Sequence, residues 1–292
     1  MFTKLTDANK AAIFTVLVLL MALVAGLVIR ALGITSEFAA AALYMFTPAE
    51  AVLIMLLVVT REGYFREGWN VLGLHHLGIN VWWIAFGVTL LITVAASAVV
   101  WATPLASFVV PELGIGGRLI GFLMQVLLFT FTFVLGEEIG WRGYLLPKLL
   151  SLGRRRALAL GGVVWATWHM PLILLTPILT VGNKLISLPL FYGTIVAASF
   201  FLGYLRIYTG SVWPASIGHS VHNAAWGTLG AFTATSYPLI VNKYLVGDYG
   251  LLILVGGVIV AIWVGRRLMR NMRSGPNEPR PSVASSDAPD AT

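Results

Sequence analysis

The chain contains no cysteine, and only 11% of its 292 residues are charged, about half the share carried by an average soluble domain. The first absence excludes disulfide frameworks, thiolate metal sites, iron–sulfur clusters and cysteine nucleophiles, and leaves the redox compartment without a marker. The second excludes an ordinary soluble enzyme. Aspartate is scarce as well: Asp7, Asp248, Asp287 and Asp290 are all there is, and none falls inside an apolar stretch. What the chain has in abundance is hydrophobic residues, 58% of the total, with a mean hydropathy of +0.87. They are arranged in runs of about 20, each long enough to cross a hydrocarbon core about 30 Å thick. The composition predicts an all-α fold, a polytopic membrane helical bundle. The net charge of +7 is then a topology signal and not a nucleic-acid one.

Eight spans are expected: 11–29, 38–60, 79–103, 119–146, 157–179, 188–207, 211–233 and 251–264, the last one short. Lysine and arginine accumulate in cytoplasmic loops, and with both termini inside, 15 of the 19 fall on that face, leaving one each (Arg30, Arg118, Lys184, Lys243) for the outer segments. An even number of helices gives this alternation. The first apolar run follows Lys4 and Lys10 and is about 19 residues long, too long for a signal-peptide core, so it reads as a retained helix. The second span is interrupted at Thr47-Pro48-Ala49-Glu50, which reads as an N-cap, a proline in the first turn and an acid three residues on. A membrane domain is expected over 1–273, with a motif core at 119–234. A Pro-, Ser- and Asp-rich tail over 274–292 is too poor in large apolar side chains to order itself. No internal repeat is visible.

An ionisable side chain within a membrane span is costly and therefore a functional candidate. Few pass that filter: the carboxylates Glu50, Glu137 and Glu138 and the imidazoles His169, His219 and His222, with the amide of Asn223 beside them. Glu50 is explained by its cap. His222 reads as a hydrogen-bonding or packing histidine, and His75 and His76 fall in a loop. In the fourth span Glu138 and Arg142 stand at i and i+4, close enough to pair, which serves equally well as a structural ion pair. Glu137 points about 100° away. Trp165 and His169, and then His219 and Asn223, share faces by the same spacing. Counted from the cytoplasmic helix ends at about 1.5 Å per residue, Glu137, His169, His219 and Asn223 lie roughly 15, 18, 12 and 18 Å deep. One layer between three helices is the expectation.

A carboxylate, two imidazoles and an amide in a low-dielectric cavity suit hydrolysis by an activated water. The carboxylate serves as general base, and the amide and an imidazole N–H as oxyanion donors. Glu137, His169 and His219 are alternatively a set that shares a metal ion. Other intramembrane hydrolase patterns are missing: the chain has no His-Glu-x-x-His, no Gly-x-Ser-Gly and no facing aspartates.

Glu137-Glu138-x-x-x-Arg142, then Trp165-x-x-x-His169, then His219-x-x-x-Asn223 resemble the three ordered motifs of the CPBP family, the intramembrane glutamic or metallo-endopeptidases that include type II CAAX prenyl proteases and bacterial Abi proteins. Thr47-Pro48-Ala49 and the segment 69–74 are similar to its looser amino-terminal pattern. The resemblance implies Glu137 as the water-activating base and His169 as the group that positions that water or a metal. Glu138 and Arg142 would hold the site, and His219 with Asn223 would stabilise the oxyanion. The second motif usually begins with Phe; Trp165 keeps the aromatic body and adds an N–H, so unchanged packing and role are expected. The family leaves open whether Zn2+ is used, and this chain offers only Glu and His ligands.

The implied substrate is a membrane-associated peptide or protein, prenylated or not, approached from the inner face of what reads as a bacterial plasma membrane. Two other classes compete: a catalytically silent immunity or binding protein on the same fold, and a proton-coupled transporter. The transporter would call for repeat symmetry, and the polar fourth, fifth and seventh helices have no counterparts in the first half. Oligomeric state is not encoded in these patterns.

Overall fold

The computed structural model describes residues 5–179 and 182–273; the tail expected over 274–292 lies outside them. The chain is all-α apart from a two-residue antiparallel pairing of β1 (Ser107–Phe108) with β2 (Thr233–Ala234). The helices are α1 (Asp7–Ala31), α2 (Glu37–Tyr44), α3 (Thr47–Ile54), α4 (Arg66–Asn70), α5 (Trp82–Trp101), α6 (Gly114–Phe131), α7 (Phe133–Glu138), α8 (Leu146–Leu149), α9 (Arg154–Trp168), α10 (Met170–Leu175), α11 (Lys184–Thr209), α12 (Trp213–Ala231) and α13 (Leu251–Arg273). Several start on side-chain caps: Thr6 accepts from the Asn9 amide (3.2 Å), Ser36 from Ala39 (3.3 Å) and Asn183 from Leu185 (3.0 Å). Such caps satisfy amides that the first turn leaves without a helical partner.

Among the described residues, seven segments are long and apolar enough to cross a membrane: α1, α2 with α3, α5, the run from Gly114 to Leu152, α9 with α10, α11 and α13. The protein is an integral membrane protein. The expected eighth span exists as α12, 19 residues packed against α5, α6 and α11. It drops out of an apolarity count because it carries Ser216, His219, Ser220, His222 and Asn223 on a helix buried inside the bundle. The last helix, expected to be short, runs on to Arg273.

Three of the expected helices are broken, each for a local reason. The second does not begin anew on a Thr47 cap: Phe46 is the N-cap, and Thr47 lies inside α3 with its hydroxyl donating to Tyr44 O (2.8 Å). The fourth breaks at Thr132 and again becomes a π-helix over Ile139–Leu145. The fifth stops at His169, because Pro171 has no N–H to continue the ladder and opens α10 instead.

The breaks let elements approach closely. Gly136, Gly140 and Gly143 line one face of the fourth span, against Phe46, Pro48 and Leu72 respectively. Tyr44 donates its hydroxyl to Trp168 O, and Trp168 Nε1 donates to Thr47 Oγ1 (3.0 Å), so the break between α2 and α3 is tied to the end of α9. At one end of the bundle Lys10 pairs with Glu62, and Lys148 with Asp7 (3.2 Å). These pairs bring together three segments that the charge distribution assigns to the same side.

A methyl group added at Gly140 would overlap Pro48 Cβ, which cannot swing aside. Gly140→Ala is therefore expected to lower stability by about 1–3 kcal/mol, an overpacking cost. Gly87→Ala, where nothing lies within 4 Å, is expected to be neutral or to stabilise by roughly 0.5–1 kcal/mol. Thermal unfolding of the two variants in detergent checks the contrast.

Candidate active site

Two adjacent carboxylates at the end of α7 are buried, Glu137 at 2% exposure and Glu138 at 0%. The helix sends them to different partners. Glu138 Oε1 takes Arg142 Nη1 (2.9 Å) and His219 Nδ1 (2.8 Å), so the expected i, i+4 pair forms and a second helix joins it. Glu137 Oε2 accepts from Trp165 Nε1 (3.0 Å) and from Trp141 Nε1 (3.4 Å). Its other oxygen takes no hydrogen bond from any described residue.

Trp165 is the hub. Its N–H holds Glu137, its face carries the Arg142 guanidinium 4.3 Å from the ring centroid, and its edge meets His219 at 5.0 Å between centroids. Unchanged packing was expected of this tryptophan; the added N–H is in fact a direct ligand of the candidate base. His169 Nδ1 lies 2.9 Å from Trp165 O. A carbonyl only accepts, so Nδ1 carries the hydrogen, and in the neutral ring Nε2 is the acceptor. Trp168 and Phe191 hold this ring edge to face at 4.7 and 5.2 Å.

Glu137, His169, His219 and Asn223 line one cavity of about 810 Å³, in agreement with the single layer expected from depth. Glu138 and Arg142 do not line it; they stand behind its wall. Asn223, half-buried, has no hydrogen-bond partner among the described residues, leaving its amide to the cavity. Glu50 is exposed, as are His75 and His76 in their loop.

Three contributors were missed. Arg206, at the end of α11, donates to Arg142 O (3.0 Å) and Val71 O (2.7 Å), joining the glycine-containing segment 69–74 to the π-helix. Trp141 supplies the second indole. The third is Asp248: His222, read as a hydrogen-bonding or packing histidine, lines the cavity and hydrogen-bonds Asp248 Oδ1 through Nε2 (2.6 Å). Burial pushes the Asp248 carboxyl up, but the His222 contact outweighs this and holds it below the usual carboxylate range. Asp248 sits in the loop before α13, and loop membership hid it; only its nearness in sequence to the last span was a signal.

Among the described residues no group of three or more His, Asp or Glu side chains is arranged to hold a metal ion. In the set Glu137, His169 and His219, each histidine has committed its Nδ1, to Trp165 O and to Glu138 respectively. This leaves Nε2 as the nitrogen each ring could offer a ligand, as in histidines whose other N–H is held by a carbonyl or carboxylate.

Removing Arg142 would leave the Glu138 carboxylate buried with His219 alone. Arg142→Met is therefore expected to destabilise the protein by about 3–5 kcal/mol, the cost of breaking a buried ion pair from one side. Thermal unfolding of the variant beside Arg66→Met, whose arginine is exposed, reads the difference.

Comparison with known proteins places these elements. Residues 119–225 match the family model described as Rce1-like, Type II CAAX prenyl endopeptidase. No curated protein matches the chain. The matched segment runs from α6 into α12 and contains all six residues singled out from the sequence, Glu137, Glu138, Arg142, His169, His219 and Asn223. Over this segment, a little more than a third of its length, the chain is similar to the Rce1-like family of type II CAAX prenyl endopeptidases.

Proposed function

We propose that the protein is an intramembrane endopeptidase in which Glu137 activates the attacking water. The observation that carries this reading is the state of the Glu137 carboxylate. One oxygen is pinned by two indole N–H groups, and the other is left without a protein donor on the wall of a cavity that also presents His169 and Asn223.

Water bound between Glu137 and the acceptor Nε2 of His169 gives its proton to the carboxylate as its oxygen attacks the scissile carbonyl. General-base help of this kind contributes about 10²–10⁴-fold. The oxyanion takes its hydrogen bond from the Asn223 amide. Arg142 fixes Glu138, Glu138 fixes His219 Nδ1, and His219 thereby presents Nε2 to the same cavity. The proton held by Glu137 then passes to the leaving amine as the C–N bond breaks. No step passes through a metal, since the donors are not gathered to hold one.

The substrate is a membrane-associated peptide or protein. The cavity walls support this, because much of the lining is apolar, including Phe38, Met124, Leu128 and Phe129 on α2 and α6. Phe38, Met124 and Leu128 are also exposed at the bundle surface.

Glu137→Gln preserves the shape and can still accept the indole hydrogen bonds, but it cannot take a proton. Its kcat on membrane-anchored peptides with varied carboxyl-terminal sequences, followed by mass spectrometry, is expected to fall by about 10²–10⁴-fold with unfolding temperature unchanged. Full activity in that variant would overturn the reading. Asn223→Ala is expected to lower kcat by about 10²–10³-fold with KM little altered; a loss confined to KM would remove Asn223 from the oxyanion role.

A further inference from the structure

A second cavity, of about 1030 Å³, lies on the other side of the α11–α13 wall from the candidate active site. Thr194, Ala198 and Leu202 of α11 and Ile253, Gly257 and Val260 of α13 face the catalytic cavity. Val196, Phe200, Leu254 and Val258 face the second one. Its two ends differ in chemistry. One end carries four guanidinium groups, from Arg154 and Arg155 at the start of α9 and from Arg266 and Arg270 near the end of α13. The remainder is an apolar trough over α11, and among the described residues no carboxylate lines it.

Two of these cations are placed against the local electrostatics of the protein. Arg154 and Arg155 are adjacent in sequence and stand in the first turn of α9, where the helix dipole disfavours positive charge. No described carboxylate pairs with Arg154, Arg155 or Arg266. An anion from outside the protein would relieve this arrangement.

The trough defines what that anion is attached to. From Gly193 to Tyr204 along α11 it extends about 16 Å at the α-helical rise, roughly half of a hydrocarbon core about 30 Å thick. It is therefore one leaflet deep, polar and cationic at the interface, apolar below. Basic pockets between transmembrane helices of this form take anionic lipid headgroups. We propose that this trough binds a phospholipid with an anionic headgroup, its phosphate among Arg154, Arg155, Arg266 and Arg270 and one acyl tail along α11 and α13. The lipid would stand directly behind the wall of the catalytic cavity.

The test uses the full-length protein, delipidated in detergent. Phosphatidylglycerol or phosphatidylcholine with identical tails is added, with bound lipid read by native mass spectrometry and stability by thermal unfolding. Phosphatidylglycerol is expected to bind and stabilise, and phosphatidylcholine to do so far less. Arg154→Gln with Arg266→Gln is expected to weaken phosphatidylglycerol binding about 30-fold. Arg156→Gln with Arg267→Gln, on the same helices but outside the trough, removes the same charge and should retain binding. Should the first pair fail to fold, Val258→Trp keeps every arginine, fills the tail groove at an exposed position, and must by itself lose the lipid. Equal binding of the two lipids overturns the proposal, as does equal loss in both arginine pairs, which would reduce the effect to general surface charge. Stabilisation by inorganic phosphate matching that by phosphatidylglycerol also overturns it, since that is an anion site without a lipid.

Discussion

Two neighbouring carboxylates buried in a membrane helix cannot share one environment. Taken from water without partners, each would cost several kcal/mol, and side by side they repel. The architecture around α7 answers this constraint. The helical turn between successive residues separates the two side chains, and each then meets a different chemistry. Glu138 receives charge from Arg142 and a ring nitrogen from His219; Glu137 receives two neutral indole N–H groups. One carboxylate is thereby built into the wall, and the other is left with an oxygen for chemistry. The glycines at 136, 140 and 143 serve the same end, since they let Phe46, Pro48 and Leu72 close over the span that carries both acids. Arg206 secures the π-helical turn from the far side by capturing Arg142 O.

The parts of this arrangement that lie within one helix could be read from the chain. Glu138 with Arg142, and His219 with Asn223, follow from the spacing of four residues, and the convergence of three helices at one depth follows from counting residues inward from basic ends. The eighth helix also emerged from charge alternation where hydropathy alone loses it, because α12 is polar for the reason that makes it interesting: it faces a cavity and not lipid. What could not be read is contact between residues far apart in sequence. Trp165 meets Glu137 across 28 positions, and Arg206 meets Val71 across 135. No local periodicity encodes either. Asp248 shows a different limit: a filter that keeps only ionisable groups inside spans discards a loop carboxylate that folds back onto His222.

Of two local breaks at prolines, the one at Pro48 was legible, although its cap is Phe46 and not Thr47, and the one at Pro171 was passed over; in both places the chain turns at the residues just before the proline, Met45–Phe46 and His169. The second break matters more. With the ladder interrupted there, His169 ends α9, its Nδ1 turns to Trp165 O, and its ring is clasped between Trp168 and Phe191. Tautomer and orientation are thus set by backbone and aromatic contacts. This leaves Nε2 as the free nitrogen of the ring, the atom that accepts from water in the proposed mechanism.

The tryptophan at the head of the second motif is the most informative departure. Phenylalanine, the usual residue there in the family this chain resembles, could supply the ring face for Arg142 and the edge for His219, but not the N–H at 3.0 Å from Glu137. The remaining donor, Trp141, stands at 3.4 Å, near the limit at which an N–H···O contact still counts. With Trp165 in place, the carboxylate is held through one oxygen by two rigid rings, each itself packed in the core. In the proposed role of base, a carboxylate fixed in this way loses little orientational freedom on binding water, the condition under which a positioned group is most effective. The same indole that satisfies a buried acid therefore also fixes the direction in which that acid can act.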